Sequence, residues 1–189
     1  MSTYQSMSIS LHGAMLLARG QARGVLMMDV APSRVGRCLW AIPLSLLPVL
    51  YMATLDWPDR IAISTILVTL VRESLIFAAA WLAFMVITHR IAMGLDRAPL
   101  WAPMIVAWAW CNVPENLLIA LGTLPGTLGA PHILDQLAQI VTFGWALWIE
   151  WFAFRLTFRI GPLLAVWLVM IDQSTGLFFT VLDQFLIVH

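Results

Sequence analysis

Lysine is missing altogether: all ten basic residues are Arg, they are matched by ten Asp and Glu, and the net charge is zero. With no positive excess and no dense basic run, nucleic-acid binding is disfavoured. Charge of either sign is scarce, 11% of residues against roughly 25% in an average soluble domain. Cysteine is reduced to Cys38 and Cys111, which fall in or beside different apolar segments without CxxC spacing. That argues against a disulfide or metal framework and reads both as small buried apolar side chains. Enzyme signatures are missing as well. Glu115 and Glu150 have no His-based metal set beside them, and neither GxSxG, HExxH nor a phosphate-binding Gly-rich loop occurs. His89, His132 and His189 sit near segment boundaries and not as a pair on one helix, so axial ligation of a haem or chlorophyll has no support. No enzyme activity and no metal are expected. An intramembrane enzyme working with acids and Arg alone is the exception left open.

What the chain has in abundance is apolar surface, 61% of 189 residues. A spanning helix uses about 20 residues, so this length holds five spans and tight connections but no separate soluble domain. The predicted class is an all-α polytopic transmembrane helix bundle of about five spans, at 38–55, 61–88, 100–121, 133–154 and 162–187. An N-terminal arm over 1–36 precedes a single transmembrane domain over 37–189. No standard signal peptide is visible, because Arg19 and Arg23 are followed only by a short Gly-interrupted run and then by Asp29 and Pro32; the first span is expected to act as the insertion signal.

Residues 1–10 are polar and read as frayed. From Leu11 onward, His12, Arg19 and Arg23 fall on one helical face and Leu11, Ala14, Ala18, Ala22 and Val25 on the other. That pattern predicts a short amphipathic helix in the interface plane with Arg19 and Arg23 offered to anionic head groups; an ordinary juxtamembrane arm is the alternative. Span one carries Pro43 and Pro48, each removing an amide donor, which predicts a kink or support from a neighbour. Span two is longer than a membrane needs and can tilt or extend beyond it. A re-entrant first span, or part of the second, is the rival to five full crossings.

Positive charge supplies an orientation. Arg19, Arg23, Arg34 and Arg37 precede span one, Arg90 and Arg97 lie between spans two and three, and Arg155 and Arg159 lie between spans four and five. With five spans these eight share one side and Arg60 faces the other, so the N-terminus is expected in the cytoplasm and the C-terminus outside.

Ionisable residues inside spans are expensive and therefore the first places to look for function. Arg72 and Glu73 lie in span two, Asn112, Glu115 and Asn116 flank Pro114 in span three, and Asp172 lies in span five. Glu73, Glu115 and Asp172 are expected near one depth with Arg72 close by. Arg72 paired with Glu115 or Asp172 accounts for two charges and leaves one acid over. A functional reading makes this a polar passage or proton-linked transport site with Pro114 freeing backbone groups; a structural reading makes it an ion-pair and amide network that fixes helix packing. Asp172-Gln173 recurs as Asp183-Gln184 on one stripe of span five, with Asp183 expected near the outer surface and hydrated. Trp145, Trp148 and Trp151 form a second stripe in span four, suited to packing, lipid, a neighbouring subunit, or a pigment or quinone ring.

The arm through Asp29-Val-Ala-Pro and the segment Val106-Ala-Trp-Ala-Trp110-Cys-Asn-Val-Pro-Glu115 resemble small inner-membrane proteins of alphaproteobacteria. More distantly, the five-helix, N-in layout is similar to bacterial Yip1-like proteins. The resemblance implies a non-enzymatic organising or adaptor role and carries no catalytic residue. The leading expectation is thus an accessory or organising protein, multi-pass in the bacterial inner (plasma) membrane, contacting lipids and forming a homo-oligomer or joining a larger membrane complex. A small channel or proton-coupled transporter using the intramembrane carboxylates is the second reading. A lipid- or quinone-binding module is the third. No cofactor is required by any of them, though a bound phospholipid or quinone fits the last.

Overall fold

The computed structural model describes residues 3–28, 32–55 and 62–188. Arg60, expected on the side opposite the other Arg residues, lies with the rest of 56–61 outside the described residues, as do 1–2, 29–31 and His189. Among those described there is no strand. Five helices are long and apolar enough to cross a membrane, and the protein is a multi-pass membrane protein.

The chain begins with α1 (Thr3–Leu17) and a single-turn α2 (Gly24–Met27). A 3₁₀ segment (Pro32–Trp40) leads directly into α3 (Ala41–Thr54), and together they supply the first crossing. Then follow α4 (Ile63–Gly94), α5 (Ala98–Gly122), the short α6 (Leu124–Thr127), α7 (His132–Thr157) and α8 (Pro162–Val188). The crossings sit where the hydropathy pattern puts them. Span two runs six residues past its expected end, from Thr88 to Gly94, because Ile91 and Ala92 still pack on the core.

α5 is the centre of the bundle. In its most apolar stretch 67% of residues are buried, against 11% in α4 and 22% in α8. It packs most extensively on α7 and also touches α1, α3 and α4, while α8 lies against α4 and α7. A helix enclosed in this way needs small residues wherever a neighbour comes close. At Gly122 an added Cβ would collide with the Thr142 hydroxyl of α7, so glycine leaves the space that this side chain occupies where the two helices meet. Pro103 and Pro114 lie inside α5 without breaking it. Pro114 removes one amide donor, and the helix is held by packing on several sides.

The N-terminal region is docked onto this bundle. Helix begins at Thr3, not at Leu11, and the stretch expected to fray buries Ser6 and Ser10. The reason lies in side-chain size: Ser6, Ser10 and Ala14 at four-residue spacing, with Leu17, form a slim face on which α2 and α5 close. Gly13 and Gly24 cross so tightly that a Cβ on either would strike the other's carbonyl. His12, Arg19 and Arg23 remain exposed.

Both turns at one end of the bundle use left-handed residues, Asp96 (φ 53°) and Arg159 (φ 52°). The Arg97 amide reaches back to the Ala92 carbonyl at 2.8 Å, closing α4 with a 6→1 bond. The Arg97 guanidinium then donates to the carbonyls of Phe158 and Arg159, both at 2.7 Å. It thereby satisfies the open C-terminus of α7 and ties the two turns together. Replacing Arg97 with Ala should therefore lower stability by about 1–3 kcal/mol and loosen both turns at once. Thermal unfolding in mild detergent, with hydrogen exchange of the two turns, checks this; unchanged exchange at 158–161 would show the tie to be idle.

Candidate functional site

Three helices each bring one carboxyl to the bundle interior: Glu115 from α5, Glu150 from α7 and Asp172 from α8. Each lies about two helical turns or more from either end of its helix. Glu115 and Glu150 are 7% and 1% exposed, and Asp172 is half-buried. The Asp172 carboxyl is within hydrogen-bonding reach of Glu150, and Glu115 is close enough to feel the charge of Asp172 and to impose its own on Glu150. Among the described residues none of the three forms an ion pair.

The surrounding groups are amides and aromatic rings. Gln173 donates its amide to Glu150 Oε2 at 3.5 Å. The Trp108 indole faces Asp172, yet its N–H completes no hydrogen bond, and neither does one oxygen each of Glu115 and Glu150. Asn112 turns its own amide back to the Trp108 carbonyl at 3.0 Å, and Asn116 does the same to Asn112 at 2.9 Å. Cys111 is fully buried on α5 beside the acids.

An ionised carboxylate only accepts hydrogen bonds. Two facing carboxyls can therefore be joined only through a proton that one of them holds. Three ionised acids together in a low-dielectric interior with no cation would be far costlier than burying one. The arrangement is thus one whose charge changes by binding and losing protons, and the unpartnered, enclosed carboxyl oxygens of Glu115 and Glu150 are places where a proton can sit.

Against this cluster lies a cavity of about 340 Å³, lined by Phe77 and Trp81 of α4, Trp108 and Asn112 of α5, and Asp172 and Gln173 of α8 among others. Its wall belongs to a chain of aromatic rings: Phe77 to Trp81 at 5.5 Å, Trp81 to Trp108 at 4.6 Å, Trp108 to Phe84 at 4.6 Å. Tilted rings at these separations add stabilisation beyond their buried area, and they fix the indole that faces Asp172.

Sequence reading brought only part of this set together. Glu115, Asn112 and Asp172 are in the site. Arg72 is not, and the expected pairing of Arg72 with Glu115 or Asp172 is wrong: its Nε lies 3.2 Å from Asp183 and its Nη2 3.4 Å from Glu73. Trp81 marks the level of the cavity on α4, and nine residues of helix put Arg72 roughly 14 Å from it. On antiparallel α8 the eleven residues from Asp172 to Asp183 cover about the same rise in the same direction. Asp183 is accordingly an ion-pair partner and not a hydrated surface group, and Glu73 stays with Arg72 outside the cluster. The sequence marks Glu150 only as an acid without a His-based metal set, four residues short of the expected end of span four, and does not bring it to the cluster. Its signal was the stripe Ala146, Glu150, Ala153, Thr157, all buried on one face of α7.

The α7 tryptophans have partners within the chain. Trp145 donates to the Ala18 carbonyl at 3.0 Å and Trp151 to that of Pro162 at 3.0 Å. Trp148 stacks on Phe152 at 5.3 Å, and the Arg155 guanidinium sits 4.8 Å over Trp151. The stripe thus clamps the N-terminal region and the α7–α8 turn while leaving ring edges exposed. Among the described residues no group of three or more His, Cys, Asp or Glu is placed to hold a metal ion.

The Arg72–Asp183 contact predicts non-additive mutations. Arg72→Gln and Asp183→Asn should each destabilise, whereas the double variant should recover on the order of 1 kcal/mol relative to their sum; strictly additive unfolding free energies would show that the pair contributes nothing. Comparison with protein-family models, curated proteins and solved structures finds no match for this chain.

Proposed function

We propose that this chain is a small proton-linked transporter or channel of the bacterial inner membrane, with Glu115, Glu150 and Asp172 as the groups that take up and release protons. One observation carries the reading: three carboxyls from three different helices converge in the bundle without a basic group among them. A network serving packing alone has a cheaper solution, and the same bundle uses it where Arg72 meets Asp183. An acidic cluster that must hold a proton to exist has a state that depends on its surroundings. Because the three acids sit on separate helices, a change in their charge also changes the force between those helices, which is what coupling to a second species requires.

The organising or adaptor role implied by the Yip1-like layout is a second reading, favoured by one feature. Leu67, Val68, Val71 and Leu75 expose a broad apolar face on α4, available to lipid, another copy or a larger complex. Lipid or quinone binding is favoured by the α3–α5 groove, about 410 Å³ and lined by Leu44, Leu47, Pro48, Tyr51, Val113 and Leu117 among others. Exposed Arg19 and Arg23 suit anionic head groups elsewhere on the molecule, in the turn that lies against Trp145 and Trp148 of α7.

Difference infrared spectroscopy of the protein in lipid tests the proton-linked reading. A carbonyl band from protonated carboxyl should fade as pH is raised, and Glu150→Gln and Asp172→Asn should each remove part of it. A spectrum without a pH-dependent carboxyl band, or one untouched by both substitutions, would leave the cluster a packing device.

A further inference from the structure

We propose that the aromatic cavity beside the acids binds a lipophilic organic cation, with Asp172 as its counter-ion and Phe77, Trp81 and Trp108 as its walls. This rests on the proton-linked reading and names the species coupled to the proton.

The chemistry of the lining selects the ligand. About 340 Å³ is within the size of ordinary small-molecule sites. Three aromatic residues line it together with one carboxyl and two amides, and ring faces attract a positive charge, more strongly where water is excluded. No basic residue lines it, so an anion would find only repulsion. A neutral apolar molecule would draw nothing from Asp172, which would keep the proton it shares with Glu150. Trp108, itself 1% exposed, lines the cavity with an indole N–H that has no hydrogen-bond partner; donated to Asp172, it would hold the carboxylate in place for a ligand that has no proton to give.

The cavity is open toward the seam between α4 and α8. Gln173 and Leu177 on its rim are exposed, and a Cβ placed on Gly176 would meet nothing within 4 Å. Depth separates two sources of the same positive group. Trp81, Trp108 and Asp172 lie about ten residues or more from either end of their helices, which is roughly half the thickness of a bilayer core. A choline head group belongs at the surface and would have to be drawn to the midplane, whereas a free cation with an apolar body dissolves there. We therefore assign the site to the free cation.

Charge balance makes the coupling explicit. When the cation arrives, the proton held between Asp172 and Glu150 leaves for bulk water, so one positive charge replaces another. The ionisable groups facing Asp172 are Glu150 from α7 and Glu115, with Cys111 near them, from α5. At this level α4 offers only aromatic and apolar side chains, since no ionisable residue lies between Glu73 and His89. Protonation removes the counter-ion, so binding must tighten as pH rises.

The test is equilibrium binding of radiolabelled methyltriphenylphosphonium to the purified full chain in mild detergent across a pH series. Saturable binding that strengthens with pH is expected. Asp172→Asn and Trp81→Leu should weaken it tenfold or more, and Gly176→Leu, which fills the cavity without touching an acid, should abolish it. Size-exclusion profiles and helical circular dichroism verify that each variant is folded; Trp81→Phe, which keeps a ring, should bind close to wild type and serves if Trp81→Leu does not fold. Non-saturable binding, equal binding by Asp172→Asn, equal binding of tetraphenylborate, or displacement by a short-chain phosphatidylcholine in preference to the phosphonium would each overturn the assignment. The infrared titration keeps the two levels apart. A pH-dependent carboxyl band without cation binding sinks this inference alone, and loss of the band sinks the proton-linked reading as well.

Discussion

Because α5 is surrounded by α1, α3, α4 and α7, few of its side chains can turn outward to lipid or water, and the rest of the bundle has to answer for whatever they carry. Most of the helix meets this condition with small or apolar residues, from Ala102 through Cys111. Its polar residues meet it in two ways. Asn112 and Asn116 have donors within reach of carbonyls one turn back on their own helix, a local solution that needs no partner. Glu115 has no such option, since a carboxyl cannot be satisfied by a carbonyl unless it keeps its proton. Its neighbours on α7 and α8 are Glu150 and Asp172, which compound the demand.

Charge in hydrocarbon is handled differently at two levels of the same structure. Toward the Arg72 end, opposite charges on α4 and α8 meet directly, and the contact aligns two long helices whose outer faces are otherwise bare. At the level of Trp108 the acids meet only acids, amides and an indole. The first arrangement lowers its energy by staying closed. The second lowers its energy by admitting something positive, whether a proton or a larger cation. That difference, and not the mere presence of intramembrane carboxyls, is what the proposed proton-linked reading rests on.

The five crossings were legible because hydropathy is a sum over some twenty residues and tolerates local error. Details that depend on one residue's rotation or depth were not. Glu150 stands close to the expected end of span four at 154 and to the Arg residues that follow it, yet α7 continues through Thr157 before its turn and leaves Glu150 inside the bundle. Arg72 looked close to Asp172 because both are near the middle of their sequences' spans. The sequence ends span two at Thr88, but α4 runs on to Gly94, so the middle of the helix falls close to Trp81 and leaves Arg72 well to one side. The docked α1 was missed for a different reason: serine scores as polar, but at four-residue spacing on a slim face it packs like alanine. The stripe Ala146, Glu150, Ala153, Thr157 and the Ser6, Ser10, Ala14 stripe carry the same lesson, that small residues at helical spacing announce close contact whatever polar group shares their face.

The seam between α4 and α8 brings the competing readings onto one surface. These two helices are little buried and expose long apolar side chains, among them Leu75 and Leu82 on α4 and Leu177 and Phe178 on α8. Their contact with each other is also where the aromatic cavity opens, beside Gln173 and Leu177. A second copy or a partner protein covering this seam would close the lateral entrance and leave the acids sealed from lipid. Free access from the bilayer requires the seam to be bare or to be covered only in part. Assembly through the groove that α3 and α5 enclose carries no such conflict, since nothing ionisable among its lining residues except the Tyr51 phenol would be covered. An oligomer and the proposed laterally loaded cation site are therefore compatible where the contact avoids the α4–α8 seam, as it would through α3 or through the exposed apolar face of α7 at Ile133, Leu137 and Ile140.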